Sequence, residues 1–261
     1  RDGGVMIMTR QPQLAPLIDQ SGPLAKGLVE AWVATQPWNT LVRGYNCSTN
    51  GGQTPATNGT GVARRFDTSS QYYITLSSDV RVLVPYGSTD ATFAVVRRSY
   101  DTTARTSTLF EARGSARILV HGPYSDGNIY WDFNDSTAGS GRVSTAFTKK
   151  LTPDYLVFVA GAARGREIWR DGSMIVSDPA ATAAYAESGA VALYLSSTST
   201  GSDSDEIALF CVWNRALSVA EIRSWSANPW QIFAPAPDPS RWARAYVAAG
   251  GGLALMGQIC T

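Results

Sequence analysis

Residues that usually form catalytic and metal sites are scarce in this sequence. It contains one histidine, His121, and three cysteines in 261 residues. Because Cys47, Cys211 and Cys260 lie far apart, they form neither a Cys-x-x-Cys metal motif nor a disulfide framework. No serine stands in a Gly-x-Ser-x-Gly turn, and His121 precedes Gly122-Pro123, a typical turn position. The sequence therefore predicts no zinc site and no histidine-activated nucleophile.

Charge and long apolar runs are scarce as well. Charged residues make up 16% of the chain, and the formal net charge is +1. A low, balanced charge does not favour nucleic acid or an anionic membrane surface as a partner. No apolar run reaches the roughly 18 residues of a membrane-spanning helix, and the start lacks the apolar segment of a signal peptide. Met6 and Met8 are both candidates for the first residue of the native protein, so the sequence does not establish whether residues 1–7 are native.

Short runs rich in β-branched and aromatic residues are the main pattern from residue 27 onward. Gly, Asp, Asn and Pro separate them, which is typical of an all-β sandwich or barrel. The stretch 44–61 is rich in Gly, Asn, Thr and Ser and predicts a long loop. The predicted strands cover residues 27–33, 63–66, 72–76, 92–97, 107–112, 117–120, 129–133, 154–160, 167–170, 173–176, 190–195 and 206–213.

Two local motifs are more specific than the general strand pattern. Asp171-Gly172 predicts a two-residue hairpin turn, which pairs Trp169 with Met174 and Ile168 with Ile175.

The second motif is a helix start. Ser218 and Glu221 form a capping box, in which each side chain accepts a hydrogen bond from the other residue's amide. Asn228-Pro229 ends the predicted helix.

The two ends of the chain differ in composition from the middle. We expect residues 1–25 to form an N-terminal arm, 26–226 a β-sandwich, and 227–261 a C-terminal arm rich in Pro and Gly. Residues 240–261 are too apolar for a solvated tail, so we expect the arms to dock on their own domain or on a neighbouring subunit.

Several segments share the pattern of one known family. They are Gly27–Trp32, Ala63–Asp67, Tyr73–Leu76, Tyr155–Ala160, Glu167–Gly172 and Asp205–Ile222. Together they resemble laminin-G-like domains, which have a concanavalin A-like fold. The last segment is the most specific, because an alternating strand leads into the sequence Trp-Asn-Arg-Ala-Leu-Ser-Val-Ala-Glu-Ile. The resemblance implies an all-β fold: a two-sheet antiparallel jelly-roll sandwich with one short helix and extended N- and C-terminal arms. Members usually bind carbohydrate, protein or lipid, and some bind calcium.

The resemblance also bears on catalysis and on the source of the chain. Some relatives hydrolyse glycans through a Glu-x-Asp-x-x-Glu strand, which this sequence lacks, so we expect no enzyme. Residues 8–13 and 228–235 resemble the ends of such domains in bacteriophage and prophage proteins.

Two kinds of ligand site remain. Asp203 and Asp205 offer carboxylates for calcium, although they also suit a turn cap and a strand start. Tyr72, Tyr100 and Tyr124 lie near predicted turns, where their rings can stack on a sugar. Strand tryptophans are instead expected in the core, namely Trp32, Trp131, Trp169 and Trp213.

The favoured function is that of a non-enzymatic structural protein of a bacteriophage virion, which serves as a decoration or attachment protein of the capsid or tail. Residues 1–25 and 227–261 would contact other virion proteins or further copies of this chain, and the domain would face outward from the particle. The alternative is a lectin-like module that binds a host-surface glycan, and a glycan-cleaving enzyme is the third hypothesis. Apart from possible calcium, no cofactor is expected.

Overall fold

The computed structural model describes residues 17–35, 39–50, 54–57, 62–66, 73–106, 108–196 and 205–234. In chain order the strands are β1 (Leu28–Val33), β2 (Ser48–Asn50), β3 (Thr54–Thr57), β4 (Val62–Phe66), β5 (Tyr73–Ser77), β6 (Ala91–Ser99), β7 (Phe110–Arg113), β8 (Arg117–His121), β9 (Asn128–Asn134), β10 (Arg142–Ala146), β11 (Asp154–Gly161), β12 (Gly165–Arg170), β13 (Ser173–Asp178), β14 (Leu193–Ser196) and β15 (Asp205–Trp213). Helix α1 spans Val219–Ala227, and short 3-10 helices span Pro23–Ala25, Val80–Val82 and Pro229–Ile232.

The strands form two antiparallel sheets. One has eight strands, in the order β13-β12-β11-β6-β15-β4-β3, with β1 pairing β15 beside β4. The other has seven strands, in the order β10-β9-β8-β7-β14-β5-β2. The predicted fold class, a two-sheet antiparallel β-sandwich with one short helix, is confirmed.

A large aromatic core, here called the inner core, fills the space between the sheets. Alternate residues of β9 point into it, and Trp131 and Phe133 are fully buried there. The ring of Phe110 stacks on Phe93 at 5.3 Å and meets Phe158 edge-on at 5.5 Å. Burying each such side chain contributes about 1.5–3 kcal/mol, so this core holds the two sheets together.

A second hydrophobic cluster, the outer core, covers the other face of the eight-stranded sheet. Trp213 and Trp169 point outward from this sheet and pack with Trp225 of α1, Trp230 and Leu24. The indole nitrogen of Trp213 donates to the Leu24 carbonyl at 2.7 Å. The predicted burial of all four strand tryptophans is confirmed. The eight-stranded sheet is therefore buried on both faces.

Most predicted strands are confirmed, but three were missed. β2 and β3 lie within the stretch 44–61, which the sequence predicted to be a loop, and β10 was not predicted. All three are edge strands of their sheets. An edge strand pairs on one side only and needs few apolar residues, so it carries little of the periodic signal that marks inner strands.

The two local motifs form nearly as predicted. Asp171 and Gly172 both have positive φ, 51° and 77°, as a type I′ turn requires. Trp169 pairs with Met174 as predicted, but a bulge pairs Ile168 with Val176 rather than with Ile175.

The predicted capping box of α1 is also confirmed, with both reciprocal hydrogen bonds present between Ser218 and Glu221. The helix ends at Ala227, and Asn228 is its C-cap.

The described parts of the two predicted arms lie side by side on the outer core. Ile18 forms a bridge with Phe233, and the Asp19 amide donates to the Ile232 carbonyl at 2.8 Å. The Ala234 amide donates to the Leu17 carbonyl at 2.7 Å. The rest of the arms, residues 1–16 and 235–261, lies outside the described residues. Among the helices that the structure describes, none has the length and apolarity to span a bilayer.

Candidate functional site

The outward side chains of the seven-stranded sheet form a surface that we call the polar face. Its residues belong to neither hydrophobic core. The strand register places one row of side chains across all seven strands, a width of about 29 Å at about 4.8 Å per strand spacing. From β10 to β2 this row contains Arg142, Asp132, Leu119, Glu111, Tyr194, Thr75 and Ser48.

A buried carboxylate holds two arginines at one end of the row. Asp132 is fully buried, and Arg142 donates to both of its oxygens, at 2.5 Å from Nε and 2.7 Å from Nη2. Arg117 donates to the same carboxylate from the neighbouring strand β8. The side chains of Arg117 and Arg142 are 30% and 25% exposed, so both are partly accessible to solvent.

A second ion pair lies two strands further along. Glu111 is almost fully buried and pairs with Arg113, whose Nε lies 2.6 Å from Glu111 Oε2. Between the two acids, Leu119 is fully buried on the polar face, although it belongs to neither core. The polar face therefore has paired charges on both sides of one buried apolar side chain, Leu119.

Three aromatic rings cluster beside Asp132. The Tyr124 ring meets His121 edge-on at 4.8 Å and Tyr130 at 6.0 Å. Tyr130 donates to Asp126 at 2.5 Å, a bond that raises the pKa of Tyr130 and lowers that of Asp126. The guanidinium of Arg142 lies over the Tyr130 ring, 4.7 Å from its centroid.

A second aromatic pair lies on the other side of Glu111. Tyr73 of β5 and Tyr194 of β14 meet edge-on at 5.0 Å. Partial burial raises the pKa of Tyr194, and the nearby Tyr73 and Glu111 raise it further. The polar face thus has half-buried tyrosines at both ends of a charged central strip. Rings combined with fixed polar groups suit a polar ligand that also has apolar faces.

The structure brings one of the three predicted tyrosines, Tyr124, into this arrangement. Tyr100 follows β6 of the other sheet, where its hydroxyl donates to the Phe66 carbonyl at 3.2 Å and Arg65 stacks on its ring at 4.5 Å. Tyr72 lies outside the described residues.

The predicted calcium ligand Asp205 is buried, with its oxygens used by other groups. Arg97 Nη1 donates to one oxygen at 2.6 Å, and the Ser99 hydroxyl donates to the other at 2.7 Å. The guanidinium occupies a position that a cation would otherwise fill. Asp203 lies outside the described residues, so calcium binding there stays a prediction. Within the described part of the chain, no group of three or more His, Cys, Asp or Glu side chains could hold a metal ion.

The polar face also contains two carboxylates on one surface, the requirement of the enzyme hypothesis. Glu111 and Asp132 are separated by one strand, which places their backbones about 10 Å apart. A glycosidase needs one protonated carboxyl as its general acid. Both acids here form ion pairs with arginine side chains. The expectation that the chain is not an enzyme stays a prediction.

Sequence reasoning missed most residues of the polar face. It identified Tyr124, but it did not single out Arg117, Asp132 or Glu111. The available signal was their alternation with core residues, since polar side chains at every second position of β7, β8 and β9 must share one face.

The fold is shared with several solved structures. Domain 4 of AbnA, a GH43 extracellular arabinanase from Geobacillus stearothermophilus in complex with arabinotriose, has a TM-score of 0.60 at 12% identity, over 76% of this chain and 98% of that one. The binding domain of Paraclostridial Mosquitocidal Protein 1 has a TM-score of 0.63 at 11% identity, over 78% of this chain and 52% of that one. Trypanosoma rangeli sialidase has a TM-score of 0.58 at 12% identity, over 82% of this chain and 36% of that one.

These similarities show the fold alone, because all the identities are low. The chain spans only 52% and 36% of the mosquitocidal binding domain and the sialidase. No protein-family model and no curated protein matches the sequence.

Proposed function

We propose that this chain is a non-catalytic carbohydrate-binding module whose polar face holds a glycan. The observation that carries the proposal is the row of side chains across the seven-stranded sheet, with tyrosines near both ends of a charged strip. Tyrosine rings stack on the apolar faces of sugars, and arginine side chains donate hydrogen bonds to sugar hydroxyls. The proposal is also supported by the shared fold of the arabinanase domain in complex with arabinotriose.

A glycan array followed by calorimetric titration tests this proposal. The protein should bind at least one glycan, and Tyr130→Ala or Tyr194→Ala should weaken binding about 30-fold, as truncation of an aromatic anchor does. Tyr86→Ala is the matched control, because Tyr86 is 66% exposed and lies outside the polar face. The titrations are run with and without calcium, and no binding to any glycan in either condition would contradict the proposal.

We further propose that the module is a laminin-G-like part of a bacteriophage virion, in which residues 1–25 and 227–261 attach it to other virion proteins or to further copies of the chain. A specific observation favours this setting. Leu17 and Ala234 lie side by side, and the adjacent Ile18 and Phe233 pack on the outer core, the side opposite the polar face. Attachment through these segments would leave the polar face pointing outward.

The virion proposal has its own test. The chain, produced together with its phage, should copurify with particles through gradient centrifugation. Replacement of residues 235–261 by a Gly/Ser segment of equal length should release it while glycan binding stays unchanged. Recovery of the unaltered chain only as a free protein would contradict the virion setting without affecting the glycan proposal.

A further inference from the structure

The strip between the aromatic groups of the polar face has three arginines, Arg113, Arg117 and Arg142, and two carboxylates, Glu111 and Asp132. Glu111 and Asp132 are at most 1% exposed, whereas the arginines are 25% to 35% exposed, so these two negative charges lie beneath the arginines. A third carboxylate, Asp126, is exposed at the edge of the strip, where it accepts a hydrogen bond from Tyr130. The excess of positive charge is therefore local to the three arginines and does not extend over the whole polar face.

The arginines are also placed against one another. Arg113 lies directly opposite Arg117 in the β7–β8 pairing, and like charges in that position repel. Arg117 and Arg142 converge from opposite sides on one Asp132 carboxylate. Each guanidinium has five N–H donors, and the hydrogen bonds to Asp132 use only some of them. An additional anion above this strip would reduce the repulsion and use the remaining donors.

The aromatic rings beside Arg142 indicate which kind of molecule would carry that anion. Arg142 stacks on Tyr130, next to Tyr124 and His121. A sugar ring stacked on Tyr130 or Tyr124 would place its substituents beside the guanidinium groups of Arg142 and Arg117. Guanidinium binds carboxylate in a planar, bidentate manner, as Arg142 already binds Asp132.

We infer that the ligand of the polar face is an acidic glycan, whose sugars carry carboxylates that bind Arg117 and Arg142 while their rings stack on the adjacent tyrosines. This inference rests on the proposed carbohydrate-binding function and specifies its ligand class. The arginines and the neighbouring rings lie close together on the sheet. Arg117, Tyr130 and Arg142 belong to the adjacent strands β8, β9 and β10, Arg113 belongs to β7, and Tyr124 lies in the loop between β8 and β9.

The other sheet offers a matched control. Buried Glu206 also holds two arginines, Arg65 and Arg98, and Arg65 stacks on Tyr100. Arg65→Gln leaves Glu206 paired with Arg98, just as Arg117→Gln leaves Asp132 paired with Arg142. Each variant therefore removes one partly exposed arginine from a buried ion pair, but only Arg117 lies on the polar face.

The experiment is calorimetric titration with trigalacturonate and with its methyl ester, which keeps the sugar rings and removes the charge. The acid should bind at least tenfold more tightly than the ester, and raising NaCl from about 20 to about 300 mM should weaken acid binding only. Arg117→Gln and Arg142→Gln should each weaken acid binding about tenfold, the loss expected for one charge-assisted hydrogen bond. Arg65→Gln should change neither titration, and circular dichroism checks that each variant is folded.

Three results would overturn the inference. Equal binding of acid and ester would leave the carbohydrate-binding function in place and reject an acidic ligand. Loss of acid binding in Arg65→Gln but not in Arg117→Gln would move the site to the other sheet. If neither probe binds but a neutral glycan binds on the array, the ligand is not an acidic glycan. If no glycan binds at all, the proposed carbohydrate-binding function itself is rejected.

Discussion

At the scale of single residues, the buried charges of this protein are stabilised by specific partners. Arg97 and Asp205 are both almost fully buried between the sheets, and Arg97 also donates to the Gly122 carbonyl at 2.7 Å. Asp154 lies 3.5 Å from Arg97 and is bound by Arg170 at 2.7 Å. Two arginines and two aspartates thus form a neutral network. Removing one member leaves an uncompensated charge in a region that water does not reach.

Arg97→Met should therefore lower the free energy of unfolding by about 3–5 kcal/mol, measured by urea denaturation. Arg105→Met is the control, because Arg105 forms a more exposed ion pair with Asp101 and should cost less than about 1 kcal/mol. Similar small losses in both variants would show that the buried network contributes little.

Glu30 should make the folded protein less stable as the pH rises, whereas most paired carboxylates have the opposite effect. Burial raises the pKa of Glu30 above its ordinary value of 4.5, against the lowering effect of hydrogen bonds from Thr40 and from three backbone amides. Because the folded state holds this proton more tightly than the unfolded chain, Glu30 reduces stability as the pH rises above 4.5 through its folded pKa. Glu30→Gln should therefore gain stability relative to the wild type over that range, in urea denaturation at successive pH values.

Glu221 provides the control of opposite sign. The hydrogen bond from Arg215 is the main cause that lowers its pKa from 4.5 to about 2. Its stabilising contribution is complete above pH 4.5 and is lost as the pH falls towards 2, so Glu221→Gln should converge with the wild type at low pH. A Glu30→Gln stability difference that stays constant across the pH range would contradict the account of Glu30.

At the scale of elements, helix α1 depends on its first turn. The Ser218 hydroxyl accepts from the Glu221 amide at 3.3 Å, and Glu221 accepts from the Ser218 amide at 2.8 Å. Ser218→Ala should cost about 1 kcal/mol of unfolding free energy. Ser224→Ala in the exposed middle of the same helix is the control and should change stability by less than about 0.5 kcal/mol. Equal effects would mean that the cap contributes nothing specific.

Sequence patterns predicted elements well where local rules determine structure. The Asp171-Gly172 turn and the Ser218 cap depend on a few adjacent residues, so both were found. The bulge beside Ile168 and the edge strand β10 have no such local signature, since a bulge needs only one extra residue and an edge strand needs few apolar residues, so neither was found. The polar face was missed because its residues are separated along the chain. Only strand pairing brings Arg142, Asp132 and Glu111 into one row.

At the scale of the whole molecule, the two sheets have different roles. The eight-stranded sheet lies between the inner and outer cores, and the seven-stranded sheet has a core on one side and the polar face on the other. The outer core is built partly from residues outside the predicted sandwich of 26–226, including Leu24, Trp230 and Phe233. These flanking segments thus form part of the fold as well as the start of the arms.

Trp230→Ala should show that contribution directly. Trp230 is 3% exposed and packs in the outer core, so its truncation should cost about 3–5 kcal/mol in urea denaturation. Tyr86→Ala removes an exposed aromatic side chain and should cost less than about 0.5 kcal/mol. A loss below 1 kcal/mol for Trp230→Ala would mean that residues after 226 are dispensable for the fold.

If the polar face binds a glycan, NMR chemical-shift mapping should locate the contact on that face. The isotope-labelled protein is titrated with a glycan selected on the array while its backbone amide signals are followed. The largest shifts should cluster on β7, β8, β9, β10 and β14, around Leu119, Tyr130 and Tyr194. Shifts that cluster instead on α1, on the flanking segments or around Tyr100 would contradict glycan binding at the polar face.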